Sequence, residues 1–112
     1  MKLAELVESL GLEVLTADAK LDRDVTNGYV SDLLSDVIAN VEEGSVWITI
    51  QRHINILGVA KLKDVAAIVI SRDLQVDPEV IEKANQEDIP MLRSKLSSFE
   101  VSGLIYKALQ RV

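Results

Sequence analysis

Apolar positions along the chain alternate between two periods, close to 3.6 and close to 2, and the alternation divides it into short segments of opposite type. Leu3, Leu6, Val7 and Leu10 recur at helical spacing and Gly11 follows, so residues 2–10 read as an amphipathic helix with a glycine stop. A strand is predicted at Leu12–Thr16. The polar stretch Ala17–Asp24 has no period, and Val25–Val30 reads as a second strand with a bulge or turn expected at Asn27-Gly28. In SDLLSDVIANVEEG, residues Leu33, Leu34, Val37, Ile38 and Val41 share one helical face, Ser31 or Asp32 can cap the free amides, and Gly44 ends the run.

Val46–Ile50 alternates as a strand. After a polar break, Asn55 is read as the N-cap of a short, largely buried helix carrying Ile56, Leu57, Val59, Ala60 and Leu62, with Gly58 permitting close contact with the sheet. Ala66–Ile70 is uniformly apolar, as a central strand covered on both faces must be. Asp77-Pro78 opens a helix with proline at its first position, Val80, Ile81 and Ala84 facing inward, and an end near Asp88. Ile89–Arg93 is a brief last strand that tolerates Pro90 near its start. Ser97 and Glu100 form a capping box for a final helix expected to bury Phe99, Leu104, Ile105, Ala108 and Leu109.

Strands and helices that alternate in this way call for an α/β fold of three layers (α/β/α), with a central sheet of about five mostly parallel strands. A chain of 112 residues, 48% of them apolar, suits one domain spanning 1–112, and no internal repeat or low-complexity tract is present.

Charge narrows the function. A net charge of −6 argues against nucleic acid as a partner, since phosphate neutralisation needs a basic surface. The absence of cysteine removes disulfides, thiolate nucleophiles and cysteine-based zinc sites. Glu5 and Glu8 interrupt the apolar N-terminal stretch, which fits neither a signal peptide nor a membrane span, so a cytoplasmic location without membrane association is expected.

Right-handed crossovers place the carboxyl ends of parallel strands on one edge, where open α/β sheets bind ligands. There the sequence collects Ser31, Asp32, Gln51, Arg52, His53, Asn55, Ser71 and Arg72, with Asp77, Arg93 and Ser97 close by. Helix amides and the arginines favour an anionic small molecule; the alternative is that Asn55, Asp77 and Ser97 serve as helix caps and nothing more. His53, the sole histidine, has no second histidine or matched carboxylate, so neither a metal nor a cofactor is expected. Asp32 and Asp36, four apart, read as sharing a helix face, but no Gly-x-Ser-x-Gly turn, Walker lysine or Gly-x-Gly-x-x-Gly loop accompanies them. An enzyme is not expected, although Asp32 with His53 as a hydrolytic or phosphotransfer pair stays open.

Residues GYVSDLLSDVIANVEEGSVWITIQRHINILGVAKLKDVAAIVI, followed by VDPEVIEKANQEDIPMLRSKLSSFEVSGLIYKAL, resemble the DRTGG domain family, roughly from Asp24 to Leu109. The resemblance is carried by Ser31-Asp32-Leu33-Leu34-Ser35, by the Trp47 strand leading to His53-x-Asn55, and by the Pro78 helix. It implies a fold like the N-terminal domain of HPr kinase/phosphorylase and a regulatory module that forms a homodimer and senses a nucleotide-like metabolite. A dimerisation module with no small-molecule ligand is the alternative reading. Where the family has Thr-Gly-Gly after the central strand, this chain has Ser71-Arg72-Asp73, and Gln51-Arg52-His53 stands where an Asp-Arg pair is expected.

Overall fold

The computed structural model describes residues 1–17 and 19–110; Asp18, within the stretch read as aperiodic, and Arg111 and Val112 lie outside the described residues. In chain order the elements are α1 (Leu3–Leu10), β1 (Glu13–Val14), β2 (Asn27–Val30), α2 (Leu34–Asn40), β3 (Ser45–Thr49), α3 (Asn55–Lys63), β4 (Ala67–Ile70), α4 (Pro78–Gln86), β5 (Met91–Arg93) and α5 (Ser98–Leu109). One five-stranded sheet runs in the order β1-β5-β4-β3-β2. The pairs β2–β3, β3–β4 and β4–β5 are parallel and only β1 is antiparallel, against β5. The expected α/β/α sandwich of five mostly parallel strands is therefore the fold.

Side-chain alternation along the strands builds the two interfaces. Trp47, Ile68, Ile70 and Met91 point to the face covered by α2, α3 and α4, whereas Val46, Ile48, Val69 and Leu92 point to the face covered by α1 and α5. Every residue of β3 and β4 is buried, so β4 is apolar on both parities, while β3 is apolar at Val46, Trp47 and Ile48 and has small polar Ser45 and Thr49 at its ends. Three successive crossovers, β2-α2-β3, β3-α3-β4 and β4-α4-β5, step across the sheet on the same face. The chain then changes sides: α5 returns over β2 and β3 on the opposite face, packed beside α1.

Several local expectations needed correction. Gly28 forms no bulge or turn; it sits in regular register opposite Val46. Gly58 is on the outer surface of α3, where an added Cβ would meet nothing within 4 Å, so Ile56, Leu57, Val59 and Ala60 make the contact with the sheet. Leu62 is 70% exposed and Phe99 is 89% exposed; Leu33, Ile38 and Leu104 also face solvent. On α5 the buried stripe is Val101, Ile105 and Ala108, a rotation of the helix that leaves Phe99 outside. No described helix is long and apolar enough to cross a membrane.

The strand-end edge as a candidate ligand site

The parallel strands bring the predicted loops together in series. The carboxylate of Asp32 accepts from the Thr49 hydroxyl (2.8 Å) and the Ile50 amide (2.9 Å), and the Gln51 side chain donates to the Asp32 carbonyl (2.9 Å). Beside it, the indole of Trp47 donates to the Ser31 carbonyl (2.9 Å). Ser31 and Asp32 thus fasten the loop after β2 to the end of β3. Asp32 precedes α2 and shares no helix face with Asp36, which instead accepts from the Tyr29 hydroxyl at 2.7 Å. That hydrogen bond holds the Asp36 carboxyl below the usual range and raises the Tyr29 phenol.

The loop between β3 and α3 is organised by His53, not by Asn55. Asn55 is the first residue of α3, and its amide donates to His53 Nδ1 at 3.2 Å. Neutral His53 therefore carries its proton on Nε2. The next amides, of Ile56 and Leu57, close a tight turn on the His53 and Ile54 carbonyls, so the start of α3 offers these donors to its own chain. Arg52 reaches across to the loop after β4 and donates to the Gln75 carbonyl at 3.0 Å. Asp77 makes no side-chain cap, although Pro78 opens α4 as expected. Arg52, His53, Gln51, Gln75 and Asp77 line an open cleft of about 410 Å³ between these two loops.

A second part of the edge is closed. Because α4 follows β4 on one face and α5 follows β5 on the other, the gap between their loops is where the connections diverge, the usual ligand crevice of an open sheet. Here the chain fills it. The Arg72 amide donates to the Leu96 carbonyl (2.7 Å), the Asp73 amide donates to the Ser94 carbonyl (2.8 Å), and the hydroxyls of Ser71 and Ser98 are 2.6 Å apart. Arg72 and Asp73 adopt φ of 63° and 53°, the left-handed backbone that glycine favours. The two positions that depart from Thr-Gly-Gly have kept a glycine-like turn.

Arg93, expected to offer positive charge to a ligand, is consumed internally. Its guanidinium binds Glu13 (2.8 Å), Asp73 (3.4 Å) and the Leu74 carbonyl (3.3 Å), tying the antiparallel strand β1 to the edge. Among the residues expected at this site, Arg52, His53 and Arg72 are the basic side chains left exposed. Among the described residues no group of three or more His, Cys, Asp or Glu side chains is placed to hold a metal ion. Sequence reasoning missed Gln75 as a lining residue; it stood in a polar loop with no distinguishing pattern.

The fold and its edge define an α/β domain of mostly parallel strands with a polar strand-end cleft. The DRTGG domain model matches residues 5–108, and the chain belongs to that family. It is 29% identical over 117 aligned positions to HPr kinase/phosphorylase of Streptococcus uberis (strain ATCC BAA-854 / 0140J), an alignment covering 90% of this chain and 38% of that enzyme. Among solved structures it is similar to the CBS and DRTGG domains of the regulatory region of Clostridium perfringens pyrophosphatase, complexed with its activator diadenosine tetraphosphate: TM-score 0.70 at 17% identity, over 96% of this chain and 46% of that one. The chain thus spans less than half the length of either relative.

Proposed function

We propose that the chain is a non-enzymatic regulatory module of the cytoplasm, acting as one unit, that binds a nucleotide-like or phosphorylated metabolite in the cleft between the β3–α3 and β4–α4 loops. The observation that carries this reading is the pairing, in one cleft of about 410 Å³, of Arg52 and His53 with Gln51, Gln75 and Asp77. Guanidinium and imidazole suit a phosphate, while the amides and the carboxylate suit the hydroxyls or ring nitrogens of a nucleoside. Exposed Arg72, at the start of the same β4–α4 loop, adds a second guanidinium for an anion. Ser31, Asp32 and Ser71 support the loops through side-chain hydrogen bonds within the chain, and Asn55 does so through its backbone amide. The similarity to a regulatory region that holds diadenosine tetraphosphate supports the ligand class.

The test is titration of the chain with mono- and dinucleotides, diadenosine tetraphosphate and sugar phosphates, followed by calorimetry and by the emission of Trp47, whose indole is bonded to the Ser31 backbone at this edge. Saturable binding weakened at least about tenfold, some 1.4 kcal/mol, by Arg52→Ala is expected, with a smaller loss for Arg72→Ala. Absence of binding throughout, or binding indifferent to both substitutions, rejects the cleft as the site.

A further inference from the structure

The sheet has two edges, and they differ. At one, β1 is two residues long, antiparallel, and carries Glu13 bonded to Arg93, a short charged edge that discourages further pairing. At the other, β2 has only β3 as a neighbour and its sequence, Asn27-Gly28-Tyr29-Val30, contains no charge, proline or bulge. The Ser31 amide donates to the Ile48 carbonyl (3.3 Å), and with Val30 opposite Ile48 this sets the parity of the ladder. Asn27 and Tyr29 turn their amides and carbonyls toward β3; Gly28 and Val30 hold theirs at the open edge.

Above that edge lies a groove of about 420 Å³, formed between β2 and α5. Phe99, Gly103 and Tyr106 of α5 line it at helical spacing, beside the stripe that faces the core. Phe99 is 89% exposed, Tyr106 69% and Val30 49%. None of the residues lining the groove is charged, on a chain in which 27% of residues are. Isolated exposed apolar side chains are ordinary, but an uncharged groove continuous with an unprotected strand edge is not.

We infer that this surface joins two copies of the chain through their β2 edges. A twofold axis normal to the sheet makes identical edges antiparallel, and centring it on Tyr29 places Gly28 of one copy opposite Val30 of the other. Both open residues of each copy are then paired, giving four backbone hydrogen bonds by the antiparallel pattern. The same axis keeps both α5 helices on one face of the continuous sheet, so Phe99 and Tyr106 of each copy lie over the groove of the other. The match is neutral to neutral, which two chains of net charge −6 require at a buried contact. This contact does not depend on the strand-end cleft.

Sedimentation at about 100 µM populates any association with Kd near 10 µM or tighter. The intact chain is expected to sediment as a dimer, with Gly28 and Val30 amides whose hydrogen exchange slows as concentration rises. Phe99→Glu and Val30→Lys, both at exposed side chains, should each weaken association at least tenfold while the thermal midpoint of the monomer is kept. Leu62→Glu, on the opposite helical layer, should leave the dimer intact. A monomer at that concentration, a dimer unmoved by Phe99→Glu and Val30→Lys, or edge amides that exchange freely in the dimer overturns the inference.

Discussion

The side-chain hydroxyls of Ser71 and Ser98 lie 2.6 Å apart, joining the end of β4 to the first turn of α5 across the point where the chain changes faces of the sheet. Ser71 is fully buried, so its hydroxyl has no water to turn to if the partner is lost. Ser98 also accepts, at its carbonyl, from the Ser102 hydroxyl. Ser98→Ala, which leaves that buried hydroxyl unpaired, is expected to cost roughly 1 kcal/mol. For a domain of this size that is a fall of about 4–8 °C in Tm, measurable by calorimetry. An unchanged Tm would show that the hydroxyl pair adds nothing to closure of the crevice.

Arg72 and Asp73 hold left-handed φ next to that pair. A side chain in this conformation costs roughly 1–2 kcal/mol, against which glycine loses about 0.5–1 kcal/mol through the freer unfolded chain. Arg72→Gly should therefore stabilise the protein by about 0.5–1 kcal/mol in urea unfolding. Asp73→Gly should gain less, because it also removes the ion pair with Arg93. Destabilisation by Arg72→Gly would mean that its side chain stabilises the turn by more than the backbone strain costs.

Asp32 acts on the end of β3 through two hydrogen bonds to one carboxylate oxygen. Bonds to a charged acceptor are worth roughly 1.5–3 kcal/mol, so Asp32→Ala should lower stability by about 2 kcal/mol and loosen the exchange protection of the Ile50 amide. Asp32→Asn, which keeps an acceptor oxygen, should recover about half of that loss. If both variants melt like the parent, Asp32 is not the clamp of this loop.

Tyr29 and Asp36 predict opposite pH behaviour at the two ends of the scale. The folded pKa of Asp36 is lowered, chiefly by the Tyr29 hydrogen bond, from an ordinary value of 3.8. Its contribution is present above that value and lost as pH falls through the lower folded pKa. The folded pKa of Tyr29 is raised from 10.0, chiefly by the hydrogen bond to Asp36. Its contribution is present below 10.0 and lost as pH rises through the higher folded pKa. Tyr29→Phe should flatten the stability profile on both sides, and the Asp36 carboxyl should then titrate closer to 3.8 by NMR. An Asp36 titration that does not move in Tyr29→Phe would remove this account.

The layered architecture and the position of the edge were legible because period and burial leave a trace at every residue. Uniformly apolar β4 could only be an interior strand, the apolar Val46-Trp47-Ile48 run marked β3 beside it, and the Ser97–Glu100 capping box marked the start of α5 through its own local hydrogen bonds. Local pattern failed where two neighbours compete for one role. Asn55 is a good cap by residue type, but the amide went to the ring of His53 two residues earlier, a choice made by the path of the loop. Phe99 fits the periodicity of a buried residue, yet the rotation of α5 over β2 and β3 put Val101 and Ile105 inward instead.

What the amino-acid order determined alone is the succession of segments, the sandwich they form and the set of polar loops that reach one edge, because these depend on spacing along the chain. Tertiary structure decided which of the polar groups stay available. Arg93 is neutralised by Glu13, eighty positions away. Ser71 is closed onto Ser98, and Arg52 is left beside Gln75 in an open cleft. Such outcomes rest on contacts between segments distant in sequence, and no period or local propensity encodes them.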